Sequence, residues 1–125
     1  MSLPIVLVDG ERASSVPATD SSVLRGDGCF EAIRSYDGRL FRADDHLDRL
    51  ERSAAAMGLA MPDRALVSAW MKEVAQEGGE CVVRVVVTRG PAVPGVEGRG
   101  VCIVIAHQLP PRRSELTLWP VAAPW

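Results

Sequence analysis

Lysine is almost missing from this chain: Lys72 stands alone beside a large set of arginines, His46 and His107 are the only histidines, and aromatic residues make up just 5%. Each shortage removes a class of function. Lys72 falls in "AWMKEVAQ", between inward-pointing positions, and nothing around it supplies the desolvated pocket that lowers a lysine pKa. It reads as a side chain reaching solvent rather than as a Schiff-base nucleophile. No convincing Ser/His/Asp set can be assembled, and His107, ending an apolar run, reads as structural. No apolar run approaches the roughly 20 residues of a membrane-spanning helix, and the opening "MSLPIVLVDG" lacks the basic segment of a secretion signal. An excess of positive charge is missing too. The formal net charge is -2 and the arginines are interleaved with Asp and Glu, so neither nucleic acid nor a membrane is expected as a partner. Cys29, Cys81 and Cys102 are far apart and sit in apolar stretches, the pattern of reduced, buried thiols rather than of a disulfide or zinc framework. A cytoplasmic location and no metal site are the expectations.

What is present describes an ordinary folded domain. The 125 residues are 47% hydrophobic and 24% charged, enough for one core and no more than one domain. "PIVLVDGERA" predicts a strand turning at Asp9-Gly10, followed by a polar, Ser-rich connector to about Ser22. "FEAIRSY" predicts another strand, which Asp37-Gly38 folds back into "RLFR" as a second hairpin. From Asp44 the apolar spacing becomes helical. Asp44 or Asp45 is the expected N-cap, Leu47, Leu50, Ala54 and Met57 form the inward stripe, and Gly58 ends the helix. "MPDRALVSAWMKEVAQEGG" predicts a second helix opened by Pro62-Asp63, with Leu66, Trp70 and Val74 inward and Gly78-Gly79 as the stop. "ECVVRVVVTRG" and "GVCIVIAHQL" read as central strands joined by a Gly- and Pro-rich loop. The fold class is therefore α+β: a mainly antiparallel sheet with two consecutive helices packed on one side. The last stretch, "SELTLWPVAAPW", starts like a strand and then runs without charge through Trp119 to Trp125, as a chain cut at a domain boundary would.

Three features could carry chemistry. Arg84 interrupts "CVVRVVVT". It either faces solvent or meets a buried carboxylate, or else it faces a cleft and grips a carboxylate or phosphate with two parallel hydrogen bonds. Arg49 borders the apolar stripe of the first long helix. It pairs with Asp45 or Asp48, or it shares an anion pocket with His46, three residues earlier on a nearby face. The glycines of "RGDGCFE" permit a positive φ or a close backbone approach, but no Gly-Lys-Ser/Thr follows to make a phosphate loop.

Taken together, "GDGCFEAIRSYDGRLFRADDHLDRLERSA" and the later "VVRVVVTRG" resemble the N-terminal domain of the class IV, fold-type IV pyridoxal-phosphate enzymes. That family includes branched-chain and D-amino-acid aminotransferases and aminodeoxychorismate lyases. The resemblance implies pyridoxal 5'-phosphate as cofactor, an amino acid and a 2-oxo acid as substrates, and a homodimer. It gives Arg49 the cofactor phosphate, Phe30 a place lining the substrate pocket, and Arg84 a position that helps hold a distal carboxylate. Arg25 stands where an aromatic residue is common, so Arg25 and Arg84 together favour an acidic substrate. The Schiff-base lysine and the glutamate on the pyridine nitrogen belong to a second domain of the family, so no residue of this chain is expected to be catalytic. The implied organisation is an N-terminal domain over residues 1–118 and the start of an interdomain connection over residues 119–125. The implied activity is amino-group transfer, or elimination of pyruvate to give 4-aminobenzoate. A stand-alone anion- or partner-binding module is the reading from a different class, and its mark would be Trp119 and Trp125 packed away from solvent.

Overall fold

The computed structural model describes residues 2–124, so the expectation for Trp125 lies outside the described residues. Strand β1 (Ile5–Val8) turns at Asp9-Gly10 into β2 (Glu11–Arg12), and a short helix α1 (Ser21–Arg25) precedes β3 (Gly28–Tyr36) and β4 (Arg39–Leu40). The helices α2 (Ala43–Met57) and α3 (Arg64–Gly78) follow, and then β5 (Cys81–Thr88) and β6 (Cys102–His107). The strands form one six-stranded sheet in the order β2-β1-β6-β5-β3-β4, each neighbour antiparallel. Both predicted hairpins and the predicted α+β architecture are present.

Alternation along the strands divides the sheet into two unlike faces. One face carries Ile33, Val83, Ala106 and Ile5 in one cross-strand row and Val85, Val104 and Leu7 in the next, all buried under α2 and α3. Leu47, Leu50 and Ala54 of α2 and Val67, Met71, Val74 and Ala75 of α3 close that core. Burying aliphatic side chains of this size contributes about 1.5–3 kcal/mol each, which makes this layer the main stabilising element. The opposite face, with Phe30, Ala32, Tyr36, Val82, Arg84, Val86, Ile103 and Ile105, has no helix over it among the described residues.

Several local expectations change in the folded chain. Helix α2 starts at Ala43 behind Arg42, whose φ is 53°, and no side chain caps it; Asp44 and Asp45 lie inside the first turn, where they complement the helix dipole instead. Met57 is exposed, because the helix ends as its stripe turns away from the sheet. Leu66 is 51% exposed and Val67 takes the inward position, a shift of one residue that puts Met71 and Val74 on the buried face. Within the expected connector, Asp20 accepts from the Ser22 amide and so caps α1. Asp20 is also held by the Thr88 hydroxyl at 3.0 Å, which ties α1 to the end of β5. No strand forms from Ser114 onward among the described residues, and Trp119 is 86% exposed, so the packed tryptophan of a stand-alone module is not seen at that position.

The two glycines of "GDG" have separate tasks. Gly26 ends α1 in the left-handed region at φ 64°. Gly28 lies so close to β5 that an added Cβ would meet the Val87 carbonyl oxygen at 2.7 Å, so a side chain there would push β3 off its neighbour.

Candidate functional site

The helix-covered face holds one carboxylate in an otherwise apolar pair of rows. Glu31 stands beside Val85 and Val104 and is only 5% exposed. A charge in that setting is costly unless it is paired and hydrogen-bonded. Arg49 of α2 provides the pair: its Nε donates to Oε1 and its Nη2 to Oε2 at 2.8 Å. This is the two-pronged geometry that guanidinium and carboxylate groups favour. The hydrogen bond from Arg49 holds the Glu31 carboxyl below the usual glutamate range, burial opposes it, and Glu31 in turn raises the Arg49 guanidinium. His46, one turn before Arg49 on α2, brings Nδ1 to 3.6 Å from Glu31 Oε2.

Arg49 therefore does not pair with Asp45 or Asp48, as its sequence neighbours suggest. Asp45 is taken by Arg42 at 2.6 Å and Asp48 by Arg64 at 2.6 Å. Glu31 is the residue that reading the sequence missed. Its signal was present, since it has the parity of Cys29 and Ile33, the buried positions of β3. With Nε and Nη2 engaged, the Nη1 hydrogens of Arg49 remain for another acceptor. The Arg49 side chain is 62% exposed and helps line a shallow concavity of about 450 Å³, together with Phe41, Arg42, His46 and Arg52 and with the carboxylates of Asp45 and Asp48. Asp45 and Asp48 are paired with Arg42 and Arg64, so the free edge of Arg49 is the group there that suits a phosphate dianion.

Phe30, next to Glu31, points to the other face of the sheet and is half exposed. The Arg84 guanidinium sits 5.0 Å from the centre of its ring, within the range of a cation–π contact. Arg84 thus faces the uncovered side, between Ala32 and Ile105 in its row, and no carboxylate among the described residues pairs with it. Strand β4 pairs β3 only at Ser35 and Tyr36, so the stretch of β3 holding Phe30 and Glu31 has a strand on one side alone. Arg49 and the Phe30–Arg84 pair are reached from opposite faces of that same open edge. Arg25 is elsewhere. At the end of α1 its Nη2 donates to the Ala92 carbonyl of the β5–β6 loop at 3.4 Å. Arg84, by contrast, lies over the Phe30 ring.

Lys72 is exposed on α3 and apart from these groups. The three cysteines are buried and unpaired, and burial pushes the Cys102 thiol up to about 12. Among the described residues there is no group of three or more potential metal ligands, and no helix is long and apolar enough to cross a membrane.

Comparison with known proteins finds relatives by sequence and by fold. A bifunctional aminodeoxychorismate lyase / D-amino acid transaminase of Mycobacterium tuberculosis is 36% identical over 69% of this chain and 33% of its own length. The PLP-bound structure of a hypothetical aminotransferase from Mycobacterium tuberculosis superposes with a TM-score of 0.77 at 28% identity, over 86% of this chain and 41% of that one. The 4-amino-4-deoxychorismate lyase of Pseudomonas aeruginosa gives 0.71 at 25% identity, over 85% of this chain and 40% of that one. The chain spans well under half the length of the relatives it matches. The family model for amino-transferase class IV matches residues 28–122, from the first residue of β3 through the segment after β6, and the chain belongs to that family.

Proposed function

We propose that this chain supplies the phosphate-binding arginine and one wall of the substrate pocket to a pyridoxal 5'-phosphate-dependent enzyme that moves an amino group between an amino acid and a 2-oxo acid. The observation that carries the reading is the exposed outer edge of Arg49, whose inner edge is fixed on buried Glu31. The donor that fits the cofactor's phosphate is Arg49, a permanent cation with uncommitted hydrogens, in a concavity whose carboxylates, Asp45 and Asp48, are already paired with Arg42 and Arg64. When bound, the cofactor supplies the electron sink for chemistry at the substrate's α-carbon. This chain's part is to hold the phosphate through Arg49 and to bound the substrate with Phe30 and Arg84. Arg84 lacks a carboxylate partner, which supports a substrate bearing a distal carboxylate; Arg25 acts at the pocket's margin. Residues 1–118 constitute the domain and residues 119–125 begin a connection to a second domain that brings the cofactor-binding lysine, a reading supported by the greater length of the relatives. The unpaired buried cysteines support a cytoplasmic location, and membership of the family supports a homodimer.

The likeness to two proteins named for aminodeoxychorismate lyase activity favours elimination of pyruvate to give 4-aminobenzoate as the second reading. Product analysis separates the two. A 2-oxo acid that appears only when a second oxo acid is present identifies transfer, and 4-aminobenzoate from aminodeoxychorismate identifies the lyase. The role of Arg49 is tested by absorbance titration of the complete gene product with pyridoxal 5'-phosphate. Arg49→Ala is expected to weaken binding about tenfold or more, as loss of a charge-assisted hydrogen bond does. Unchanged affinity overturns that role.

A further inference from the structure

We infer that Glu31 is a positioning residue for the anion site: it aims Arg49, and through Arg49 it sets the affinity for the phosphate group. The inference rests on the proposed role of Arg49 and goes on to name what fixes that side chain. An arginine on a helix surface has many rotamers, and an exposed one binds an anion only after losing that freedom. Here the loss is already met in folding. Glu31 is immobilised in a β-strand between β5 and the helix layer, and it engages both Nε and Nη2 of Arg49. The plane of the guanidinium is then fixed, and its Nη1 edge is directed outward. His46 Nδ1, from the same helix, lies 3.6 Å from Oε2, beyond hydrogen-bonding distance.

Charge and geometry make opposite predictions at this position, so the inference can be tested. Glu31 puts a negative charge one side chain away from a site for a dianion. If charge alone mattered, removing it would tighten anion binding. If Glu31 works by aiming Arg49, removing it weakens binding in spite of the relief of repulsion. Supporting groups that orient a binding side chain typically matter by 10–100-fold in metal sites, and the lower end suits an arginine still tethered by its own helix.

The experiment is a set of binding titrations on the complete gene product, with pyridoxal 5'-phosphate and, in parallel, with pyridoxal, which lacks the phosphate. Glu31→Gln should bind pyridoxal 5'-phosphate about tenfold more weakly and pyridoxal as well as the wild type does. Glu31→Asp keeps the charge but withdraws it by one methylene, and should lose affinity in the same phosphate-specific way. In an Arg49→Ala background, Glu31→Gln should have no further effect, because it acts only through that arginine. Unchanged or tighter phosphate binding in Glu31→Gln overturns the inference, as does an equal loss for both ligands, which would mark Glu31 as merely structural. If Glu31→Gln does not fold, Glu31→Asp decides: wild-type affinity there overturns the inference. An Arg49→Ala variant with undiminished affinity removes the phosphate role of Arg49 and this inference together. A loss in Arg49→Ala with none in Glu31→Gln removes this inference alone.

Discussion

The two faces of the sheet differ in what their side chains can do. On the helix-covered face, aliphatic side chains from four strands meet those of α2 and α3, and the single carboxylate of its β3 row is held by two hydrogen bonds from Arg49. On the uncovered face, Phe30 and Tyr36 stay half exposed and the arginines nearby lie over aromatic rings, Arg84 over Phe30 and Arg34 over Tyr36. The first face accounts for why the chain folds. The second, with the open edge of β3 between them, offers the groups that a ligand can use. Arg49, on the helix-covered side, combines the two tasks, since its inner edge pairs with Glu31 and its outer edge is free for an anion.

That division predicts its largest effect in the core. Leu50→Ala should destabilise the protein by about 2–5 kcal/mol, whereas Phe30→Ala should cost less than about 1 kcal/mol. Equilibrium denaturation measures both, and similar losses would erase the distinction between the faces. On the open face the effect should move to activity. Arg84→Ala is expected to lower kcat/KM for substrates with a distal carboxylate about tenfold more than for neutral ones, the value of one charge-assisted bond. An equal loss on both would make Arg84 a structural residue.

A smaller effect is expected at Glu31 with pH. Its carboxyl is held below the ordinary value of about 4.3 by the hydrogen bond from Arg49, with burial opposing. The folded-state value is depressed, so the stabilisation is fully present above the ordinary value and is lost as pH falls through the depressed one. The stability gap between wild type and Glu31→Gln should therefore stay level from pH 8 to about 5 and close below about pH 4. A gap that persists unchanged at lower pH would show that ionic pairing is not its source. The smallest effect belongs to the thiols. Cys29, Cys81 and Cys102 are buried with raised pKa values, so an aqueous disulfide reagent should find no fast-reacting thiol until the protein is unfolded.

How far the sequence could be read depended on the range of the interactions involved. The Asp9-Gly10 and Asp37-Gly38 turns and the Leu47, Leu50 and Ala54 stripe are local signals, and each is where the pattern puts it. Val67 replaced Leu66 because neighbouring apolar residues at a helix start leave the buried face undetermined until the sheet is in place. The expected strand after Ser114 did not form, since a strand needs a neighbour and none of the described strands pairs with that segment. The partner of Arg49 was hidden for a similar reason: Glu31 is 18 residues away, and only the packing of α2 on β3 brings them together. Local charge spacing pointed to Asp45 and Asp48, which serve other arginines.

The most direct measurement is a crystal structure of the complete gene product with pyridoxal 5'-phosphate bound. The account predicts the phosphate within hydrogen-bonding distance of the Nη1 edge of Arg49, with Glu31 still on Nε and Nη2. A phosphate held elsewhere, or an Arg49 that has left Glu31 to reach it, would contradict the account.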